Sequence, residues 1–263
     1  MNGVGFLGCV DFNGCKLPPQ LPLVHTVDFM VGMEYIKNLS LTKPLKKCEV
    51  FPDDNPVYLF YGKPAYKKLD EGTTSDPAAH PMVFIFKNNP PNLKKVLRVF
   101  PFDSGAFHKG RFKNYIDPAI YSFKDFQLNT DVCELSKHIY FFWENNTAYF
   151  KGKKPKYIDD SGLSFAIGAY AKLIEARCRT SFDDRCSVPE IQSEEIICIL
   201  DNLQAIIVSE DNDLNFLTGS MRETFKKKDI KIIPYETYGR VSPTEKGPIY
   251  TCVLKYYKEK GML

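Results

Sequence analysis

The sequence predicts an α+β protein. Three observations predict it. Short runs rich in β-branched and aromatic residues, bounded by glycine or proline, stand at Val57 to Tyr61 and Pro81 to Phe86. A block from about 115 to 180 places apolar residues at helical spacing. Short apolar runs then resume from Val188 to Val208. Strands and helices gathered into blocks, without regular alternation, point to a sheet with helices packed around it.

The first twenty residues carry four glycines, two cysteines and Pro18-Pro19, a loose or partly strand-like lead-in. A single domain runs from there, 21 to 263, with a helical insertion over about 115 to 180. Leu23-Val24-His25-Thr26 reads as a short strand, and Phe29, Met30, Met33, Ile36 and Leu39 follow at helical spacing. Thr26 or Asp28 caps that helix. Val57 to Tyr61 is a second strand, ended by Gly62 and Pro64; Pro81 to Phe86 is a third. The turn Asn88-Asn89-Pro90-Pro91 leads, by a hairpin or tight connection, to a fourth strand at Val96 to Phe100.

Helical spacing then governs Asp117 to Phe150, through Ile120, Phe123, Phe126, Cys133, Leu135, Ile139, Phe142 and Trp143. A basic loop at 151 to 156 interrupts it, and Leu163 to Arg177 is the clearest helix of the chain. Strands are expected around Val188 to Gln192, Ile196 to Leu200 and Ala205 to Val208. A helix over Asp213 to Lys226 and strands at Lys231 to Pro234 and Tyr250 to Lys255 complete the reading.

Composition bounds the function. The chain has 263 residues, 44% hydrophobic and 25% charged, enough for a large buried core and typical of a globular protein. A net charge of +3 is too weak to draw nucleic acid to the whole molecule, so any such affinity needs local basic patches. The eight cysteines form no Cys-x-x-Cys pair and no Cys/His cluster at metal spacing, which predicts free thiols, no metal and a reducing compartment. Met1 to Cys15 lacks the pattern of a signal peptide and no apolar run is long enough to cross a bilayer; a soluble, cytoplasmic protein without membrane partners is expected. Dinucleotide-binding glycine fingerprints, phosphate loops, nucleophile elbows and His-Glu-x-x-His motifs are all missing. A cysteine nucleophile paired in space with His25 or His138 stays open.

Four segments carry a resemblance. They are His25-Thr26 with the helix after it and Leu39-Ser40-Leu41; the aromatic run Tyr58-Leu59-Phe60-Tyr61-Gly62-Lys63-Pro64-Ala65-Tyr66; Val99-Phe100-Pro101-Phe102-Asp103-Ser104-Gly105-Ala106; and Arg185-Cys186-Ser187-Val188-Pro189-Glu190-Ile191-Gln192 before the apolar Leu203 to Val208. In this order they resemble the ADP-ribosyltransferase fold of the His-Tyr-Glu type, and within it the DarT-like DNA-modifying enzymes, over about Leu21 to Val208. The resemblance implies a split central β-sheet with flanking helices, NAD+ as co-substrate, a nucleic-acid or protein acceptor, and a toxin or defence role. Between His25 and Tyr66 the family's further polar ligands are missing, which leaves the acceptor open.

The chemistry assigns roles. Breaking the bond between nicotinamide and ribose builds positive charge on the sugar, which a fixed carboxylate stabilises. Glu190 is the candidate, and Glu194, an even number of residues along the strand, is its rival. His25 would hydrogen-bond a ribose hydroxyl of the adenosine half, and Thr26 the cofactor amide if it is not a cap. Tyr66 offers a ring face to the cationic nicotinamide, with Tyr58 and Tyr61 lining the same pocket. Arg98 or Arg111 would meet the pyrophosphate or an acceptor phosphate, one of them oriented by Asp103 unless that residue only begins an Asx-turn; Arg185 would pair with Glu190 or with substrate. The basic, aromatic segments 109 to 115 and 149 to 157 have the composition of a single-strand binding surface or of solvated loops. Two other readings remain: a nucleotide- or protein-binding module of this fold without turnover, and an NAD+ glycohydrolase.

Overall fold

The uninterrupted apolar run Pro81–Phe86 is buried at every position, as a strand covered on both faces must be, and lies inside a seven-stranded sheet. The computed structural model describes residues 6–8, 10–43, 47–65, 76–90, 93, 95–155, 164–180, 184–212, 217–237 and 246–263, with 177–180 as backbone only. In chain order the elements are β1 (Leu23–Asp28), α1 (Phe29–Lys37), β2 (Ser40–Leu41), β3 (Val57–Tyr61), β4 (Pro81–Phe86), β5 (Val96–Phe100), α2 (Ser104–His108), α3 (Phe123–Phe126), α4 (Leu135–Trp143), α5 (Asn146–Phe150), α6 (Phe165–Thr180), β6 (Glu190–Ser193), β7 (Ile197–Cys198), α7 (Ile199–Asn202), β8 (Leu203–Ser209), α8 (Gly219–Lys227), β9 (Lys231–Tyr235) and α9 (Lys246–Glu259).

The sheet order is β5-β6-β3-β1-β4-β8-β9, and β2 pairs with β7 in a separate ribbon. Every pairing in the large sheet is antiparallel except β8 with β9, which are parallel and joined by a crossover that contains α8. The fold is therefore α+β, with a mostly antiparallel central sheet and flanking helices. The sheet is continuous but has a thin seam. β1 pairs with β4 along its whole length, Leu23↔Phe86 to Asp28↔Pro81, yet meets β3 only at Leu23↔Tyr61 and Val24↔Phe60.

Helix α1 lies against the sheet because Gly32 has no side chain: a Cβ there would stand 2.3 Å from Met82 Sδ. Tyr35 of α1 packs on Phe84, ring centroids 6.2 Å apart. On the helical side an aromatic cluster joins the short helices into one body, with Phe102 5.1 Å from Phe126 and Phe142 5.0 Å from Tyr170. Among its described residues the lead-in has neither strand nor helix, yet Phe6 enters this core at 5% exposure and its N–H donates to Gln127 O at 2.9 Å.

Several elements differ from the sequence reading. β4 and β5 are not a hairpin: three strands separate them, because β5 finds its partner in β6 through Val99↔Ile191 and Phe100↔Glu190. Nothing local reveals such a partner. Tyr250 to Lys255 is not a strand but the middle of α9; its β-favouring residue types misled, while Ile249, Val253, Tyr256 and Tyr257 are buried at helical spacing. Ile196 to Leu200 is a strand only at Ile197–Cys198, then turns into α7. Leu39, with φ at 51°, is a turn residue. Neither Thr26 nor Asp28 makes a side-chain cap for α1; Thr26 is within β1, and the first helical N–H, that of Phe29, donates to His80 O at 2.8 Å.

Candidate functional site

β1, β3 and β6, the strands that carry His25, the aromatic run and Glu190, are consecutive in the sheet. Glu190 opens β6 between β3 and β5, opposite Phe60 on one side and Phe100 on the other, and is 0% exposed. A buried carboxylate needs hydrogen bonds to replace water. Ser104 Oγ donates to its Oε1 at 2.6 Å, Gln192 Nε2 donates to the same oxygen at 2.8 Å, and the Ser104 N–H approaches Oε2 at 3.3 Å. Gln192 Nε2 also reaches Ser104 Oγ at 3.1 Å.

The network continues outward. Arg98 Nη1 donates to Gln192 Oε1 at 3.0 Å, which fixes the amide so that its nitrogen faces Glu190. The same guanidinium pairs with Asp54 and lies over the Phe51 ring, 4.0 Å from its centroid. A chain of charge-assisted contacts thus runs Asp54–Arg98–Gln192–Glu190.

Strand parity decides which residues share a face, since residues directly opposite one another point the same way and neighbours along a strand alternate. Val24, Phe60, Glu190 and Phe100 form one cross-strand row; Tyr58, Gln192 and Arg98 form another, two residues along and on the same face. Thr26 shares that face by its spacing from Val24. Phe60, Ala65 and Val188 make a small apolar cluster of their own, apart from the main core. The Tyr58 hydroxyl donates to Cys48 Sγ at 2.7 Å. Burial first, then that bond and the nearby carboxylate of Glu190, push its pKa well above the ordinary phenol value, so Tyr58 stays neutral.

His25 has the opposite parity. Its ring lies 5.8 Å from that of Tyr35 on α1, and its Nδ1 is 2.7 Å from Tyr58 O across the seam. A carbonyl only accepts, so Nδ1 carries the proton. The structure therefore joins Glu190 to Tyr58 and ties His25 to the backbone of Tyr58 from the other face.

The remaining predicted residues are placed as follows. Tyr61 is fully buried, its hydroxyl accepting from Leu21 N at 3.0 Å and its carbonyl accepting from Tyr149 OH at 2.6 Å; this is a core position. Asp103 is the N-cap of α2, with Oδ1 accepting from Ala106 N at 2.7 Å, and its own N–H donates to Arg185 O at 2.9 Å. Both Asp103 and Arg185 are buried, and Asp103 directly precedes Ser104. Arg111 is exposed beyond α2. Glu194 lies past the end of β6 in an exposed pair with Lys95 at 3.0 Å, whereas Glu190 is sealed. Tyr66 lies outside the described residues. In the segment from 149 to 157, Tyr149 and Phe150 are buried and Lys151, Lys153 and Lys154 exposed, so the aromatics and cations do not share a surface; Lys156 and Tyr157 are outside the described residues.

Ser104, Gln192, Asp54 and Cys48 were not singled out from the sequence. Gln192 had a signal, two residues from Glu190 and so on its face of a strand. Ser104 and Asp54 had none, since 86 residues separate Ser104 from Glu190 and 44 separate Asp54 from Arg98. Among the described residues, no group of three or more His, Cys, Asp or Glu is placed to hold a metal ion, and no helix is long and apolar enough to cross a membrane. No protein-family model, no curated protein and no solved structure matches the chain.

Proposed function

We propose that the chain is an NAD+-dependent ADP-ribosyltransferase acting on a nucleic-acid or protein acceptor, with Glu190 as its carboxylate and a toxin or defence role. One observation carries this reading: three consecutive strands bear the histidine, the aromatic run and a buried glutamate whose oxygens are aimed by Ser104 and Gln192. The thin β1–β3 seam supports the split sheet that the family resemblance implies.

In this reading the bond between the ribose carbon and the nicotinamide nitrogen breaks, and nicotinamide leaves with the electron pair. Glu190 faces the positive charge left on the ribose and accepts a hydrogen bond from its 2′-hydroxyl. The acceptor then bonds to that carbon and yields its proton to the carboxylate. Tyr58 supplies a neutral hydroxyl beside it, and His25 borders the seam from β1. Gln192, held by Arg98, and Ser104 keep the carboxylate in position.

Glu190→Gln keeps the shape and removes the charge, so nicotinamide release should fall by about 100-fold to 1,000-fold while the fold persists. An unchanged rate sinks the reading. A second reading has its own support: the Glu190 oxygens already carry three hydrogen bonds within a sealed site, as in a binding module without turnover. Calorimetric binding of NAD+ without nicotinamide release would select it. Release without label on any macromolecule would instead identify a glycohydrolase.

A further inference from the structure

The turn after β3 holds a buried cation with no ion-pair partner among the described residues. Lys63 is 2% exposed, and its ammonium stands 4.4 Å from the centroid of the Tyr149 ring. Among the described residues it makes no ion pair and its nitrogen donates no hydrogen bond. Asp184, whose charge is felt at Tyr149, accepts the Tyr250 hydroxyl instead. An ammonium removed from water needs an anion or several acceptors, and one ring face supplies only part of what hydration gave.

The turn is rigidly built. Gly62 N–H donates to Pro22 O, Lys63 N–H to Tyr61 O and Ala65 N–H to Lys63 O, each at 2.9 Å. Gly62 has φ at +70°, and a Cβ on it would meet Leu21 Cδ1 at 2.6 Å, so the turn admits only glycine there. The Tyr149 hydroxyl is held by Tyr61 O, which fixes the ring under the ammonium. Lys63 is thus set in place rather than sampling the surface.

Its position relates it to the carboxylate. Tyr61 N–H donates to the carbonyl of Pro189, the residue before Glu190, so the Lys63 turn continues the strand end beside which Glu190 starts. In NAD+ the diphosphate is one ribose away from the carbon that reacts. We propose that Lys63 is an anion-binding residue that takes the diphosphate of the dinucleotide. This rests on the transferase reading for the identity of the ligand, and on burial and geometry alone for the anion.

Calorimetry with inorganic pyrophosphate tests it on the full chain. Wild type should bind, Lys63→Met should bind at least about tenfold more weakly, and Lys63→Arg should stay within about threefold of wild type. Equal affinity in Lys63→Met, or no binding by wild type, overturns the proposal. If Lys63→Met fails to fold, a loss of about tenfold or more in the folded Lys63→Arg overturns it. Pyrophosphate binding that depends on Lys63 in a protein that releases no nicotinamide keeps the anion site and removes the transferase reading.

Discussion

β4 and β6 are both buried at every residue, yet they are built from opposite materials. β4 is Pro-Met-Val-Phe-Ile-Phe, packed on both faces and paired along its length with β1 and β8. β6 is Glu-Ile-Gln-Ser, and three of its four side chains must find polar partners inside the protein. Burial favours the first strand through apolar area removed from water. For the second it is a cost that Ser104, Arg98 and Asp54 offset through hydrogen bonds and charge. A polar strand kept buried between two neighbours in the sheet is the pattern of a site, whereas β4 is scaffold.

Three changes test that contrast. Phe84→Ala, on β4, removes a ring packed against Tyr35 and Phe86 and should cost about 3 to 5 kcal/mol in denaturant unfolding. A loss below about 1 kcal/mol would deny β4 its scaffold role. Ser104→Ala takes one donor from a sealed carboxylate and should cost about 1 to 3 kcal/mol, less than the ring because Gln192 still donates. If stability is unchanged, the polar network is decoration and not a constraint on Glu190.

The smallest effect concerns a buried polar group handled the other way. His138 on α4 is 0% exposed among the rings of Phe142, Trp143 and Tyr170, and neither of its nitrogens has a hydrogen-bond partner among the described residues. Burial alone pushes its pKa down from 6.5 to about 3. The unfolded chain therefore binds a proton that the folded one refuses between those values. Stability is complete above pH 6.5 and falls with decreasing pH by about 1.4 kcal/mol per unit. His138→Leu should lose that share of the acid dependence; an acid limb identical to wild type in urea titrations at pH 7 and pH 5 would count against it.

What the sequence disclosed follows from range. Val57–Tyr61 and Pro81–Phe86 were legible because residue type and flanking breakers act locally. The place of β5 beside β6 was not, since strand partners are chosen by surfaces distant in the chain. α9 was misread where residue type and spacing disagreed, and packing followed spacing. In the site, Glu190 was legible as a carboxylate within an expected strand, and the two-residue repeat was the signal that could have found Gln192. Ser104 was beyond reach because only the fold brings it to Glu190. The opposite parity of His25 was concealed by the same cause: one residue along a strand reverses a side chain, and the register is set by the partners.

The narrow pairing of β1 with β3 also has a mechanical meaning. With Leu23↔Tyr61 and Val24↔Phe60 as its ladder pairs, joined by His25 Nδ1 to Tyr58 O and Gly62 N–H to Pro22 O, the sheet is two leaves on a short spine. One leaf carries Glu190 and the other His25. A change of twist between the leaves would strain fewer ladder pairs at this spine than at any other junction of the sheet, and His25 Nδ1 on Tyr58 O is the side-chain contact that resists it.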